Sequence, residues 1–157
     1  MTDYKSEFMK EAIRLSVENV KSGGGPFGAV VVKNNEIIAS GFNMVTQQFD
    51  PSAHAEIVAI RNACNNLNSF QLTDCDIYTS CEPCPMCLGA IFWARPRKVY
   101  FANSKTDAAN HGFDDQFIYD QIELPAEGRK IPMIAVKETD AISAFKNWSA
   151  LDDKVEY

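Results

Sequence analysis

The sequence lacks any apolar run near the ~20 residues that a membrane-spanning helix requires. No secretion signal is expected either, because the opening stretch MTDYKSEFMKEAIRLS carries acids and bases from the start and has no apolar core. Cysteine is not arranged for pairing: there are five, and three crowd into residues 81 to 87, which argues against a disulfide framework. These absences lead us to expect a cytoplasmic protein with reduced thiols and no membrane partner. Basic residues are the minority, 15 Lys and Arg against 21 Asp and Glu, for a net charge of −6 and a pI of about 4.9. A protein that follows a phosphate backbone gathers its Lys and Arg into a groove or face. The densest basic patch here is only Arg95 to Lys98. A small-molecule partner is expected, and no nucleic acid. Histidine is the scarcest metal-ligating residue, with His54 and His111 alone.

What is present suits one domain over residues 1–157. At this length, 46% hydrophobic and 23% charged residues can build a core without staples. Phe8, Met9, Ala12, Ile13, Leu15, Val17 and Val20 recur at helical spacing, predicting a helix over 5–21. Gly23, Gly24 and Gly25 end it. Three glycines beside a strand suggest a phosphate loop, but these follow a helix, precede a strand and have no trailing Gly-Lys-Ser/Thr, so a flexible connection is expected. FGAVVVK, the turn Asn34-Asn35 and EIIASGF predict a hairpin over 27–42. A second helix follows Pro51. CDIYTS (75–80) reads as a third strand, CPMCLGAIFWA as a buried helix, KVYFA (98–102) as a fourth strand and IPMIAVK (131–137) as a fifth. A polar loop from 103 to about 117, a short helix and a last helix over 141–151 complete the chain. This order of strands and helices implies an α/β sandwich around one mixed sheet.

Pro83 and Pro85 divide the clustered cysteines. Proline suits the first turn of a helix and not its interior, so a helix begins near Pro83. Cys84 and Cys87 then lie three residues apart on one face of the opening turn, where the positive end of the helix dipole favours thiolates. Cys81 ends the preceding strand and points elsewhere. His54, in His-Ala-Glu at the entry of the second helix, supplies a third ligand, since helix entries converge at strand ends in α/β sheets. Two sulfurs and one imidazole leave the fourth position of a tetrahedral zinc open, the catalytic pattern. Glu56, two residues on, suits a general base for a zinc-activated water. A structural site that adds Cys81, or plain buried thiols beside a packed histidine, are the alternatives. Cys64 and Cys75 are expected in or near the core and His111 in solvent.

His-Ala-Glu with Pro-Cys-x-x-Cys is the signature of zinc-dependent nucleobase deaminases. Together with GGPFGAVVVK, DPSAHAE, TSCEPCPMCLGAIFWARP, GFDDQFIY and the terminal EY, it resembles the bacterial guanine deaminases, over residues 24 to 157. The resemblance implies a three-layer α/β/α sandwich with a central mixed five-stranded sheet. It implies a homodimer whose C-terminal segments, about 138–157, are exchanged. It implies hydrolysis of guanine to xanthine and ammonia, with one Zn²⁺ per chain on His54, Cys84 and Cys87. Glu56 would then move protons and Asp115 would assist at the amine, with Asp114 the competing acid. Asn43 and Ala55 would hold the purine, and Tyr157 would close over the partner's pocket. Phe27 and Trp93 are candidates for apolar pocket walls or for plain core. The rival functions are a tRNA adenosine deaminase, a free cytosine or nucleoside deaminase, and a zinc-stabilised binding module without turnover.

Overall fold

The computed structural model describes residues 4–137 and 140–157, in two compact units that divide between Gln116 and Phe117. In the first unit, helix α1 (Ser6–Lys21) leads to strands β1 (Gly28–Lys33) and β2 (Glu36–Phe42). The turn between them holds Asn34 at φ 52° and Asn35 at φ 64°. Paired left-handed residues make the tight turn that matches strand twist, and asparagine tolerates that region best among residues with a side chain. A short helix, α2 (Val45–Gln48), precedes helix α3 (Ala55–Leu67), strand β3 (Cys75–Cys81), helix α4 (Pro85–Ala94), strand β4 (Lys98–Asn103) and helix α5 (Lys105–Asn110). The sheet order is β2-β1-β3-β4, antiparallel except for the parallel pair β3 and β4. The fold is therefore α/β on a mixed sheet.

Period-two alternation divides β1 between the two faces of the sheet. Val30 and Val32, with Tyr78 of β3, meet Phe8 and Met9 of α1. Ala29 and Val31, with Ile77, pack with Ala55, Ala59 and Ala63 of α3. Small residues let α3 lie close to the sheet, and Gly41 completes the fit. A Cβ at Gly41 would stand 2.4 Å from the carbonyl oxygen of Ala55. The first turn of α3, which carries Glu56 and follows His54, is thus seated directly on β2. All seven residues of β3 are buried, as a central strand covered on both faces should be.

Four expectations need correction. The sheet has four strands, not five. IPMIAVK forms no ladder among the described residues; its one backbone bond runs from Met133 N to Ala126 O at 3.0 Å. Apolar, β-branched composition makes a segment suited to pairing without supplying the neighbour it pairs with. The helix α4 begins at Pro85, two residues beyond the expected start near Pro83, with Cys84 as its N-cap. Nor is it buried: only Cys87, Ile91 and Ala94 face the core, while Phe92 is 72% and Trp93 62% exposed. The stretch after residue 103 is not all loop. Ser104 and Asp107 form a capping box that starts α5, with Ser104 Oγ accepting from the Asp107 amide and Asp107 Oδ2 accepting from the Ser104 amide.

The second unit holds most of helix α6 (Gln116–Glu123), a 3₁₀ turn (Ala126–Gly128), the irregular stretch 131–137 and helix α7 (Ser143–Ser149). Its large apolar residues lie outside, among them Phe117, Ile134 and Phe145. The beginning of the expected exchanged segment, residues 138 and 139, lies outside the described residues. Among the described residues, no helix is long and apolar enough to cross a membrane.

Candidate metal centre and active site

Two helix entries build the site. At the first, Asp50 Oδ1 accepts from the amide of Ser52 at 2.8 Å and from its hydroxyl at 2.7 Å, and His54 N donates to Ser52 O at 2.8 Å. This folded turn delivers His54 in an extended conformation as the N-cap of α3. At the second, Pro85 occupies the first turn of α4, Cys84 is the N-cap and Cys87 lies fully buried one turn on. Proline has no amide to lose at that position, so it starts the helix there and locks the spacing of the two sulfurs.

These elements bring His54 Nδ1 to 3.5 Å from Cys84 Sγ and 3.6 Å from Cys87 Sγ. The three ligand atoms all lie within 4.8 Å of one another, and among the described residues no other such group occurs. For a tetrahedral zinc with ordinary Zn–S and Zn–N lengths, sulfur and nitrogen ligands should stand about 3.6 Å apart. The cluster therefore fits one zinc per chain. Cys81 is not in it. Its sulfur donates instead to Ser104 O at 3.7 Å.

The charges agree with this geometry. The Cys84 thiol is pulled down to about 4 by the Cys87 thiol beside it and, against burial, by His54. Cys87 is driven up, first by its bond to Cys84 and then by burial and Glu56. Its one proton thus has two acceptors, the Cys84 sulfur and Glu56 Oε2, the latter at 3.4 Å. His54 is raised, chiefly by Cys84 and in spite of burial. Burial pushes Cys81 up to about 11, so it stays a neutral thiol. Metal binding must displace the Cys87 proton, and Glu56 stands ready beside it.

Glu56 is only 4% exposed. Burial raises its pKa, opposed by bonds from its own amide, Thr79 and Cys87. Thr79 Oγ1 donates to Oε1 at 3.0 Å, which leaves Oε2 on the side of the cluster. The sequence reading missed Thr79. The signal was available, because a hydroxyl inside a wholly buried strand needs a partner.

The remaining candidates are placed as follows. Asn43, just after β2, is buried; Ala55 is fully buried at the start of α3. Met44 N donates to Ala53 O at 2.9 Å, which ties the Asn43 stretch to the His54 stretch. Phe27 packs against the α3 side of the core and meets Phe113 edge-to-face at 5.0 Å. Asp115 is raised by partial burial and then by the charge of Cys84, whereas Asp114 accepts from Gln116 N at 2.9 Å. Asp115 thus feels the charge of Cys84, and Asp114 caps the start of α6. Trp93 lies on the exposed side of α4 and so is not core. Tyr157, in the second unit, is exposed. His111 is exposed and Cys75 buried, as expected.

A family profile described as the cytidine and deoxycytidylate deaminase zinc-binding region matches residues 2–103. The chain belongs to this deaminase family. Within it, the chain is 56% identical to guanine deaminase of Bacillus subtilis over 96% of its own length and 97% of the relative's. The X-ray structure of guanine deaminase from Bacillus subtilis superposes with a TM-score of 0.95 at 54% identity, covering 100% of this chain and 99% of that one. A tRNA-specific adenosine deaminase of Aquifex aeolicus is 42% identical over 62% of this chain and 65% of its own. The deaminase profile ends at residue 103, so it includes His54, Glu56, Cys84 and Cys87 but neither GFDDQFIY nor the tail.

Proposed function

We propose that this chain hydrolyses guanine to xanthine and ammonia. The observation that carries the chemistry is a buried carboxylate, Glu56, facing a three-ligand cluster that leaves one zinc position open. The likeness to guanine deaminase across nearly the whole chain carries the substrate. A zinc ion on His54, Cys84 and Cys87 would supply a water of lowered pKa at that open position. Glu56 accepts the proton of the attacking water through Oε2, while Thr79 keeps Oε1 from rotating away. It then passes the proton to the purine ring and helps protonate the leaving amine, so that a C2–O bond forms, the C2–N bond breaks and ammonia departs. Asp115 assists at the amine. Asn43 and Ala55 hold the purine, and Phe27 forms an apolar wall. Trp93 is retained as a wall residue only where another copy covers it.

The proposal includes a homodimer of three-layer α/β/α subunits, each one functional domain over 1–157, with the segment from about 138 to 157 exchanged so that Tyr157 closes the partner's pocket. Support comes from apolar surface that is otherwise costly to expose: Met86, Leu88 and Phe92 on α4, and Ile131, Ile134 and Val136. The acidic balance and the shortness of the basic patch, Arg95 to Lys98, support a free base rather than a nucleic acid, and the free cysteines support a cytoplasmic setting.

The tRNA adenosine deaminase is the second reading, favoured by the Aquifex relative. Incubating the purified protein with guanine, adenine, cytosine, their nucleosides and a tRNA anticodon stem, and assaying ammonia, separates the two. We expect guanine to be consumed fastest. Faster turnover of the anticodon stem at ordinary salt would overturn the proposal, and no turnover of any would leave a zinc-stabilised binding module.

A further inference from the structure

The three glycines after α1 were expected to be a flexible connection, and the packing around them is the opposite. Asn19, buried on α1, donates both carboxamide hydrogens to main-chain carbonyls, Gly25 O and Asn43 O, each at 2.8 Å. Its own carbonyl accepts from Gly24 N at 2.9 Å. A Cβ at Gly24 would stand 2.4 Å from Asn19 Nδ2, and one at Gly25 would stand 3.0 Å from Asn43 Cγ. Two of the three glycines are therefore needed for space, one against each asparagine.

Asn43 is held on every side but one. Its amide donates to Phe27 O at 3.1 Å, its carbonyl accepts from Asn19, and its Oδ1 accepts from Val45 N at 3.3 Å. Its Nδ2 has no hydrogen bond within the described residues. Because no fully buried side-chain nitrogen or oxygen there is left without a partner, that donor is not wholly enclosed.

We infer that Asn19 is a positioning residue, which with Gly24 and Gly25 clamps Asn43 so that its Nδ2–H is presented to an acceptor atom of the purine. This rests on the reading of Asn43 as a substrate contact. A fixed donor costs no ordering when substrate arrives, so the clamp contributes to binding more than to the chemical step. Its loss should appear in KM and leave kcat and the metal largely alone.

The test measures kcat and KM for guanine, with zinc content, in the full-length enzyme and in Asn19→Ala, Gly25→Ala, Asn43→Ala and the Asn19→Ala/Asn43→Ala pair. Gly25→Ala keeps both Asn19 bonds and only crowds the Asn43 carboxamide. We expect KM to rise about tenfold in each single variant, the order of one substrate hydrogen bond, with kcat within about threefold and one zinc per chain. The double variant should be no worse in KM than Asn43→Ala alone, as for two residues acting through one contact. A structural role would instead lower kcat per total protein at unchanged KM, and that result in Asn19→Ala and Gly25→Ala overturns the inference. If Asn19→Ala does not fold, Gly25→Ala decides alone, and an unchanged KM there overturns it. An unchanged KM in Asn43→Ala defeats the substrate-contact reading itself. A raised KM in Asn43→Ala but in neither of the others defeats only the clamp.

Discussion

The two units treat apolar residues in opposite ways. In the first, Val30, Val31 and Ile77 are wholly buried between sheet and helices; in the second, Ile131 is 81% and Val136 76% exposed. CDIYTS and IPMIAVK both read as strands, yet among the described residues only the former has neighbours to pair with. β3 lies between β1 and β4 and carries Thr79, the partner of Glu56, whereas 131–137 has apolar surface and no ladder. Apolar sequence thus states that a segment must be covered and leaves open by what. In the first unit the chain covers itself around the metal cluster. In the second, the covering surface proposed above is another copy.

The largest expected effect tests whether the first unit holds the metal alone. Cys84→Ala should remove zinc and all turnover, while Cys81→Ala should keep one zinc per chain, measured by metal analysis; the reverse pattern would break the assignment of ligands. Next is Glu56→Gln, which keeps shape but cannot accept the proton. We expect zinc and fold retained and kcat reduced at least ~10²-fold. Near-normal turnover would move the proton transfers to another group.

Removing residues 153–157 sharpens the other half of the comparison. If the tail completes a partner's site by excluding water, turnover of guanine should fall by at least about tenfold with zinc unchanged. A truncated protein as active as the full chain would make the tail an ordinary frayed end. Smaller again is a pair of stability measurements. Ile77→Ala should cost ~2–5 kcal/mol at any concentration. Ile134→Ala should cost under about 0.5 kcal/mol in dilute protein, and more only where sizing shows a dimer. Equal costs at all concentrations would place Ile134 in a core of its own chain.

The mildest test compares two thiols. In zinc-stripped protein, Cys84 lies near 4 and is a thiolate above that pH, while Cys81 lies near 11 and is neutral below it. Iodoacetamide at pH 7 should therefore label Cys84 first and spare Cys81, and added zinc should protect Cys84. Lowering the pH toward 4 should slow labelling of Cys84 as its thiolate is lost. Preferential labelling of Cys81 at pH 7 would contradict the charge pattern of the site.

By itself the sequence determined what neighbours along the chain decide. Asn34-Asn35 specifies a hairpin turn, Pro85 starts a helix, and that start puts Cys84 and Cys87 on one face while leaving Cys81 on the strand. The same local chemistry was present and overlooked in Ser104 and Asp107, whose capping box begins α5. Tertiary structure decided whatever depends on a distant partner. His54 turns Nδ1 toward sulfurs thirty and thirty-three residues away, and Thr79 finds Glu56 across twenty-three. Asn19 fills the space that Gly24 leaves and Asn43 the space that Gly25 leaves, which makes a supposed flexible loop a packed seat. A helix that is apolar all round, α4, turns out half exposed, and a strand-like segment forms no ladder among the described residues. Hydrophobicity is not directional, so it can demand burial without naming the surface that provides it. Hydrogen bonds and metal ligation are directional, and their geometry exists only once the chain has brought remote residues together.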